Sequence, residues 1–290
     1  MKTMSTILSL LIICIFTVPL TGQIVITSTN PTAAQVIETI IKKTGSAQIP
    51  NTVDVIKEGD PETRVTGIVT TMFATMEVLR KAVEMKCNLI VVHEPLYYNH
   101  RDETQQFVKD PVFLEKKKFI NDHKLVIWRF HDYIHSARPD GIILGMVEKL
   151  GWKNYVNKGD FTRFIIPETN LSALLQRLKA IFPKNAFYVI GKPDMKITQI
   201  KLSPGAPGSQ SHIASLNSDI DVLIAGEASQ WETYEYARDA VAQGRKKAVI
   251  FLGHISSEEA GMDFCAGWFR DFIRDIPIIF VESTPSYWSY

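Results

Sequence analysis

The chain has 290 residues, 46% hydrophobic and 22% charged, which is ordinary globular composition and enough length to bury one large core or two smaller ones. Its 32 basic and 31 acidic side chains leave a formal net charge of +1. That balance argues against the strongly basic face needed to neutralise phosphates and leaves room only for a local basic patch, so no nucleic-acid partner is expected.

At the start of the chain, Lys2 precedes an apolar run, Ile7 to Leu20, broken only by Ser9, Thr17 and Pro19. The pattern reads as a signal peptide over residues 1–22, cut after Gly22, and implies a periplasmic or secreted protein of residues 23–290. The run is short for a membrane span, so no stable span is expected once it is removed. Cys14 leaves with it. Cys87 and Cys265 sit in apolar contexts that suit buried free thiols better than a catalytic pair.

Residues Pro31 to Lys43 carry Ala34, Ile37, Ile40 and Ile41 at helical spacing and end at Gly45. A β-like segment, Val65 to Thr70, is followed by a helix from Thr75 to Lys86. The continuous apolar run Leu89 to Val92 then predicts a strand buried on both faces. Helix Pro111 to Asp122, strand Leu125 to Phe130 and helix Asp140 to Leu150 repeat the alternation. Phe161 to Ile166, helix Leu171 to Ile181 and Phe187 to Ile190 form a further β/α unit without histidine, read as a spacer. A Gly/Pro-rich loop, Ser203 to Ser209, joins a strand ending near Leu202 to a helix beginning near Gln210, and is either an anion cradle or a plain connection. Strand Asp221 to Ala225, helix Trp231 to Ala242, strand Ala248 to Leu252, helix Glu258 to Arg274 and strand Ile278 to Val281 complete an α/β architecture.

Three of these strands end in histidine: His93-Glu94 after Leu-Ile-Val-Val, His131 and His135 after Leu-Val-Ile-Trp-Arg-Phe, and Gly253-His254 after Ala-Val-Ile-Phe-Leu. In open α/β sheets the carboxyl ends of strands gather loops at one crevice, so four of the seven histidines are placed where a site forms. Neutral imidazole with carboxylate suits zinc, iron, manganese or nickel. Glu258 stands four residues beyond His254. The neighbouring Ser256 and Glu259 read as a capping box, which leaves Glu258 either free to coordinate or solvated in the first helical turn.

In this order and spacing the chain resembles the Nif-three-like dinuclear-metal family, also described as type-two homologues of GTP cyclohydrolase. The likeness spans about Pro31 to Asp271. Asn51 to Asp60 stands as a divergent form of the family's early segment, Leu89 to Leu96 as its strand ending in His-His-Pro, and Phe130 to Ala137 as its His-x-x-x-Asp segment. The Gly205 to Ser209 loop, Asp221 to Glu227 and the closing Gly253-His-Ile-Ser-Ser-Glu-Glu259 follow. Glu94 replaces the family's second His and His135 its Asp, so ligand count and charge balance are kept. The resemblance implies His93, Glu94, His135, His254 and Glu258 as ligands of two divalent ions, with a carboxylate able to bridge them. It also implies a hexameric toroid.

The expected fold is α/β: two interwoven lobes of mixed sheets flanked by helices, 23–130 with 270–290 and 131–269, and the metal site at strand carboxyl ends between them. A paired centre suits hydrolysis of a small molecule, a phosphoester or a cyclic amide. Glu227 would serve as base or merely cap the next helix. Tyr97, Tyr98 and His100 would position substrate, or pack against a neighbouring subunit or face solvent. His131 is expected to orient a ligand rather than act as one. A non-catalytic metal-binding or trafficking protein and a ring-shaped scaffold are the alternatives.

Overall fold

Apolar runs of four residues, with no polar alternation, become strands covered on both faces. The computed structural model describes residues 30–157, 159–283 and 287, and the expected signal peptide with Cys14 lies outside the described residues. The first element is α1 (Ala33–Thr44), started by a capping box between Thr32 and Gln35 and stopped by Gly45 at φ 69°. There follow β1 (Ile56–Glu58), β2 (Ile68–Thr71), α2 (Met76–Glu84) and β3 (Leu89–Val92). Asp110 then caps α3 (Pro111–Asp122), whose first-turn proline needs no N–H partner. Next come β4 (Val126–Arg129), the short α4 (Asp132–Ser136) and α5 (Gly141–Leu150).

The second half contains β5 (Val156–Asn157), β6 (Asp160–Asn170), α6 (Leu171–Ile181), β7 (Tyr188–Ile190), β8 (Lys196–Ser203) and α7 (Ser209–Leu216). It closes with β9 (Val222–Ala225), α8 (Glu235–Ala242), β10 (Ala248–Phe251), α9 (His254–Arg270) and β11 (Ile278–Phe280). One sheet has the order β1-β4-β3-β2-β11 and is parallel except for the antiparallel edge strand β1. The other, β5-β6-β8-β9-β10-β7, has a parallel centre, β8-β9-β10, with antiparallel strands on both sides. Two mixed sheets flanked by helices are the architecture the sequence predicts.

Three expectations are corrected. The supposed spacer unit is structural: β6 pairs with β8 and β7 with β10, so it builds both flanks of the second sheet. The Ser256–Glu259 capping box does not form, because Gly253 at φ 87° turns the chain straight from β10 into a helix that starts at His254. That helix ends at Arg270, four residues earlier than predicted, and Glu259 instead accepts the Ser283 N–H.

Cys87 and Cys265 are free and buried, as read from their contexts. Each sheet is packed on both faces. The first carries α1 and α9 on one side and α2 and α3 on the other. The second is sandwiched between α5 with α6 and α7 with α8. Helix α9 follows the second sheet in sequence yet packs on β2 and β11 of the first and crosses α5. The crossing is close enough to need glycine: a Cβ on Gly145 would lie 2.2 Å from the Ala260 carbonyl oxygen, and one on Gly261 would lie 2.5 Å from Ile142 Cα. This seam fixes how the strand ends of the two sheets face each other.

Candidate metal centre

Both sheets deliver chemistry at strand carboxyl ends. Strand β3 runs into His93 and Glu94, β4 into His131 and then His135 on α4, β9 into Glu227, and β10 through Gly253 into His254. Starting α9 at His254 puts Glu258 one turn later on the same helix face, with His254 Nε2 3.2 Å from its Oε2. The loop from Ser203 to Ser209 packs against the start of α9. Gly205, at φ 64°, donates its N–H to Ser257 Oγ and lies so close to Glu258 that a Cβ there would meet its Oε1 at 2.4 Å.

All four histidines are tethered through Nδ1. His93 Nδ1 lies 3.1 Å from the Phe130 carbonyl, His131 Nδ1 2.9 Å from Asp132, His135 Nδ1 2.9 Å from Asp140, and His254 Nδ1 3.1 Å from Glu227. Each partner is an acceptor, so Nδ1 carries a proton; in a neutral ring this leaves the lone pair on Nε2, the tautomer a metal-ligating imidazole adopts, while His254 Nε2 faces Glu94 and Glu258 and holds a second proton in the metal-free chain. The rings of His93, His131 and His135 are mutually in contact, with centroids 4.8 to 5.0 Å apart. Their donor atoms all lie within 4.8 Å of one another, and so do those of His93, Glu94 and Glu258. His93 Nε2 is buried without a hydrogen-bond partner among the described residues, and Glu258 Oε2, 3.7 Å from it, is buried with only the 3.2 Å ion pair to His254. Buried polar atoms are normally paired, so these two fit an ion as their missing partner.

Charge is distributed asymmetrically. Burial opposes the charged form of His254, but its bonds to Glu258 and Glu94, the latter at 3.0 Å, push it up to about 11. Burial would raise Glu94, yet the His254 bond and the neighbouring imidazoles hold it down to about 2. His93 goes the opposite way, well below the usual histidine range, because it is wholly buried and stands beside His135 and His131. Burial works against the charged form of His135 too, but the bond to Asp140 leaves it raised.

Several essential residues are not singled out by sequence reasoning. Arg129, fully buried, donates Nε to the His93 carbonyl at 3.1 Å, NH1 to the His100 carbonyl and NH2 to Glu94 Oε2 at 3.2 Å. Its signal is an arginine inside an otherwise apolar strand. Asp54 accepts the N–H groups of His131, Asp132 and Tyr133 at 2.8 to 2.9 Å, pinning the start of α4. Asp132 and Asp140 hold the two imidazoles of α4 and its N-cap.

Of the remaining candidates, Tyr97 is corrected: it is buried with its hydroxyl on Glu58 and does not reach a substrate space. Tyr98 and His100 do line a cleft of about 1010 Å³, with Phe73, Glu94, Glu227 and His254. Glu227 meets this cleft while bonded to His254, so its first role is to orient that ring rather than to cap the helix that follows. His131, expected to orient a ligand, has its own donor atom within the same cluster as His93 and His135.

The fold and site define a two-sheet α/β protein with an imidazole–carboxylate cluster able to hold metal. The chain belongs to the Duf34/NIF3 (NGG1p interacting factor 3) family, whose profile matches residues 33–286. A Clostridium acetobutylicum protein named GTP cyclohydrolase 1 type 2 homolog is 27% identical over 211 residues, which cover 69% of this chain and 75% of that protein. Among solved structures, a Bacillus cereus protein related to NIF3 superposes with a TM-score of 0.69 at 13% identity, covering 91% of this chain and all of its own. Reduced HcgD from Methanocaldococcus jannaschii gives 0.66 at 16% identity, covering 87% and 98% of the two chains. At such identities the likeness shows the fold.

Proposed function

We propose that this chain is a metal-dependent hydrolase of a small molecule, a phosphoester or a cyclic amide, built on two divalent ions. The observation that carries the reading is the set of four Nδ1-tethered imidazoles around two buried carboxylates, which meets the cleft through Glu94 and His254. His93, His131, His135, Glu94, His254 and Glu258 would hold the ions. When bound, divalent ions polarise a carbonyl or phosphoryl oxygen and acidify water. The chain's own residues do the rest. Glu227 fixes the His254 ring and presents its second oxygen to the cleft as a proton acceptor. Phe73, edge-on to His254 at 6.4 Å, shields the imidazole from solvent, and Tyr98 and His100 bound the substrate space.

The name of the Clostridium relative suits a cyclic amide substrate but assigns none to this chain. A non-catalytic metal carrier is the second reading, favoured by Glu227 being committed to His254. Elemental analysis of the chain beside a His93→Ala, His254→Ala variant tests the centre, and turnover of a phosphoester and cyclic-amide panel tests the chemistry. About two ions lost in the variant, with turnover abolished by Glu227→Gln at unchanged metal content, is the expected result. Metal without turnover on any substrate would favour the carrier, and no metal after reconstitution would refute both.

A further inference from the structure

The two overlapping donor groups cannot both use His93. Its Nδ1 is occupied by the Phe130 carbonyl, so it has one lone pair, on Nε2, and a single imidazole nitrogen serves a single ion. Its ring packs against His131 and His135, whose Nδ1 atoms are likewise tethered. Placing His93 with them gives a set of three neutral nitrogens. What remains is His254 with Glu94 and Glu258, already gathered at 3.0 and 3.2 Å around His254 Nε2. Each set has three protein donors, the number found where an ion keeps an open position.

We infer that the centre, on the reading proposed above, consists of two chemically inequivalent positions: an all-imidazole one with His131 as a full ligand, and a carboxylate-rich one. The exchanges at Glu94 and His135 produce this segregation. One moves a carboxylate into the set with His254 and Glu258, and the other moves an imidazole into the set with His93 and His131. Arg129 sharpens it, because tying up Glu94 Oε2 leaves only Oε1 facing the cluster. Glu94 is therefore a terminal ligand, and Glu258 Oε2, 3.2 Å from His254 Nε2 and 3.7 Å from His93 Nε2, is the carboxylate oxygen that lies between the two sets.

Three imidazoles suit zinc, and a carboxylate-rich set accommodates manganese, which most sites otherwise bind more weakly than zinc. The two ions are thus not interchangeable.

The test uses the full chain, stripped with chelator, given one equivalent of zinc and then titrated with manganese, with manganese paramagnetic resonance and elemental analysis as readouts. The expected result is one zinc retained and one manganese bound per chain. His131→Ala should lose zinc and keep manganese, and Glu94→Gln should do the reverse. Asp140→Asn, a milder change, should lower zinc affinity about 10–100-fold with little effect on manganese. Two zinc ions of equal affinity that exclude manganese, or variants that weaken both ions alike, would overturn the inference and leave the paired centre standing. Failure of the parent chain to bind either ion would overturn the paired centre with it.

Discussion

Replacing Arg129 by Met tests how the carboxylate beside the cluster is held. The side chain is fully buried and makes three bonds, to the carbonyls of His93 and His100 and to Glu94 Oε2 at 3.2 Å. At that distance an effective dielectric of about 20 gives an attraction of roughly 5 kcal/mol before desolvation. Methionine fills much of the space but leaves the Glu94 oxygen and two carbonyls without their donor. Removing one partner of a buried pair costs about 3–5 kcal/mol, and this is the expected loss in unfolding free energy for the metal-free protein in urea. Pairing it with Glu94→Gln should restore part of the loss, with a coupling energy of about 1–3 kcal/mol in the double-mutant cycle. A loss below about 1 kcal/mol, or a cycle with no coupling, would refute the argument that Arg129 neutralises Glu94.

Gly145→Ala places a methyl group 2.2 Å from the Ala260 carbonyl, a backbone atom that cannot swing away, so stability should fall by about 1–3 kcal/mol or more in thermal unfolding. Asp221 lies far along the second sheet; burial opposes its charge, but Lys246 at 2.8 Å and the amides of Thr198 and Gln199 hold its carboxyl below the usual range. A depressed carboxyl stabilises above the unfolded pKa and loses that contribution as pH falls through the folded value. Asp221→Asn should therefore cost about 1–3 kcal/mol at pH 7, and the gap to the parent should close below about pH 4. Ion binding should release about one proton per chain near neutrality, read by calorimetry in buffers of different ionisation enthalpy. His254, at about 11, must give up its proton, whereas His93 already lacks one.

Strand-end histidines and the α/β alternation are legible because burial on both faces leaves an unbroken apolar run, and the residue after such a run is where a parallel strand meets its loop. The start of α9 is not legible in the same way. Ser256 and Glu259 have the right spacing for a cap, but Gly253 reaches a backbone angle that puts the N-cap three residues sooner, and local pattern carries no record of that turn. Strand β1 escapes notice because three residues at a sheet edge owe their conformation to pairing with β4 rather than to periodicity. The setting of His131 is illegible for a related reason. Its Nδ1 meets the neighbouring Asp132, whose carboxylate is fixed by Thr52 and the Val53 amide from 80 and 79 residues away.

Buried charge explains why the cluster survives before any ion arrives. Two carboxylates, Glu94 and Glu258, are balanced by Arg129 and by a protonated His254, so the metal-free centre is close to neutral and avoids the penalty of unpaired buried ions. The balance is drawn from both sheets: Arg129 and Glu94 come from the first, His254 and Glu258 from the helix that leaves the second. Helix α9 therefore has two tasks. Its start supplies two of the six donors, His254 and Glu258, and its middle packs through Gly261 against α5 and through the Met262 carbonyl against Thr70 of β2. A shift of that helix would change the gap between the two donor sets, so the glycine seam remote from the cluster is part of what sets their spacing.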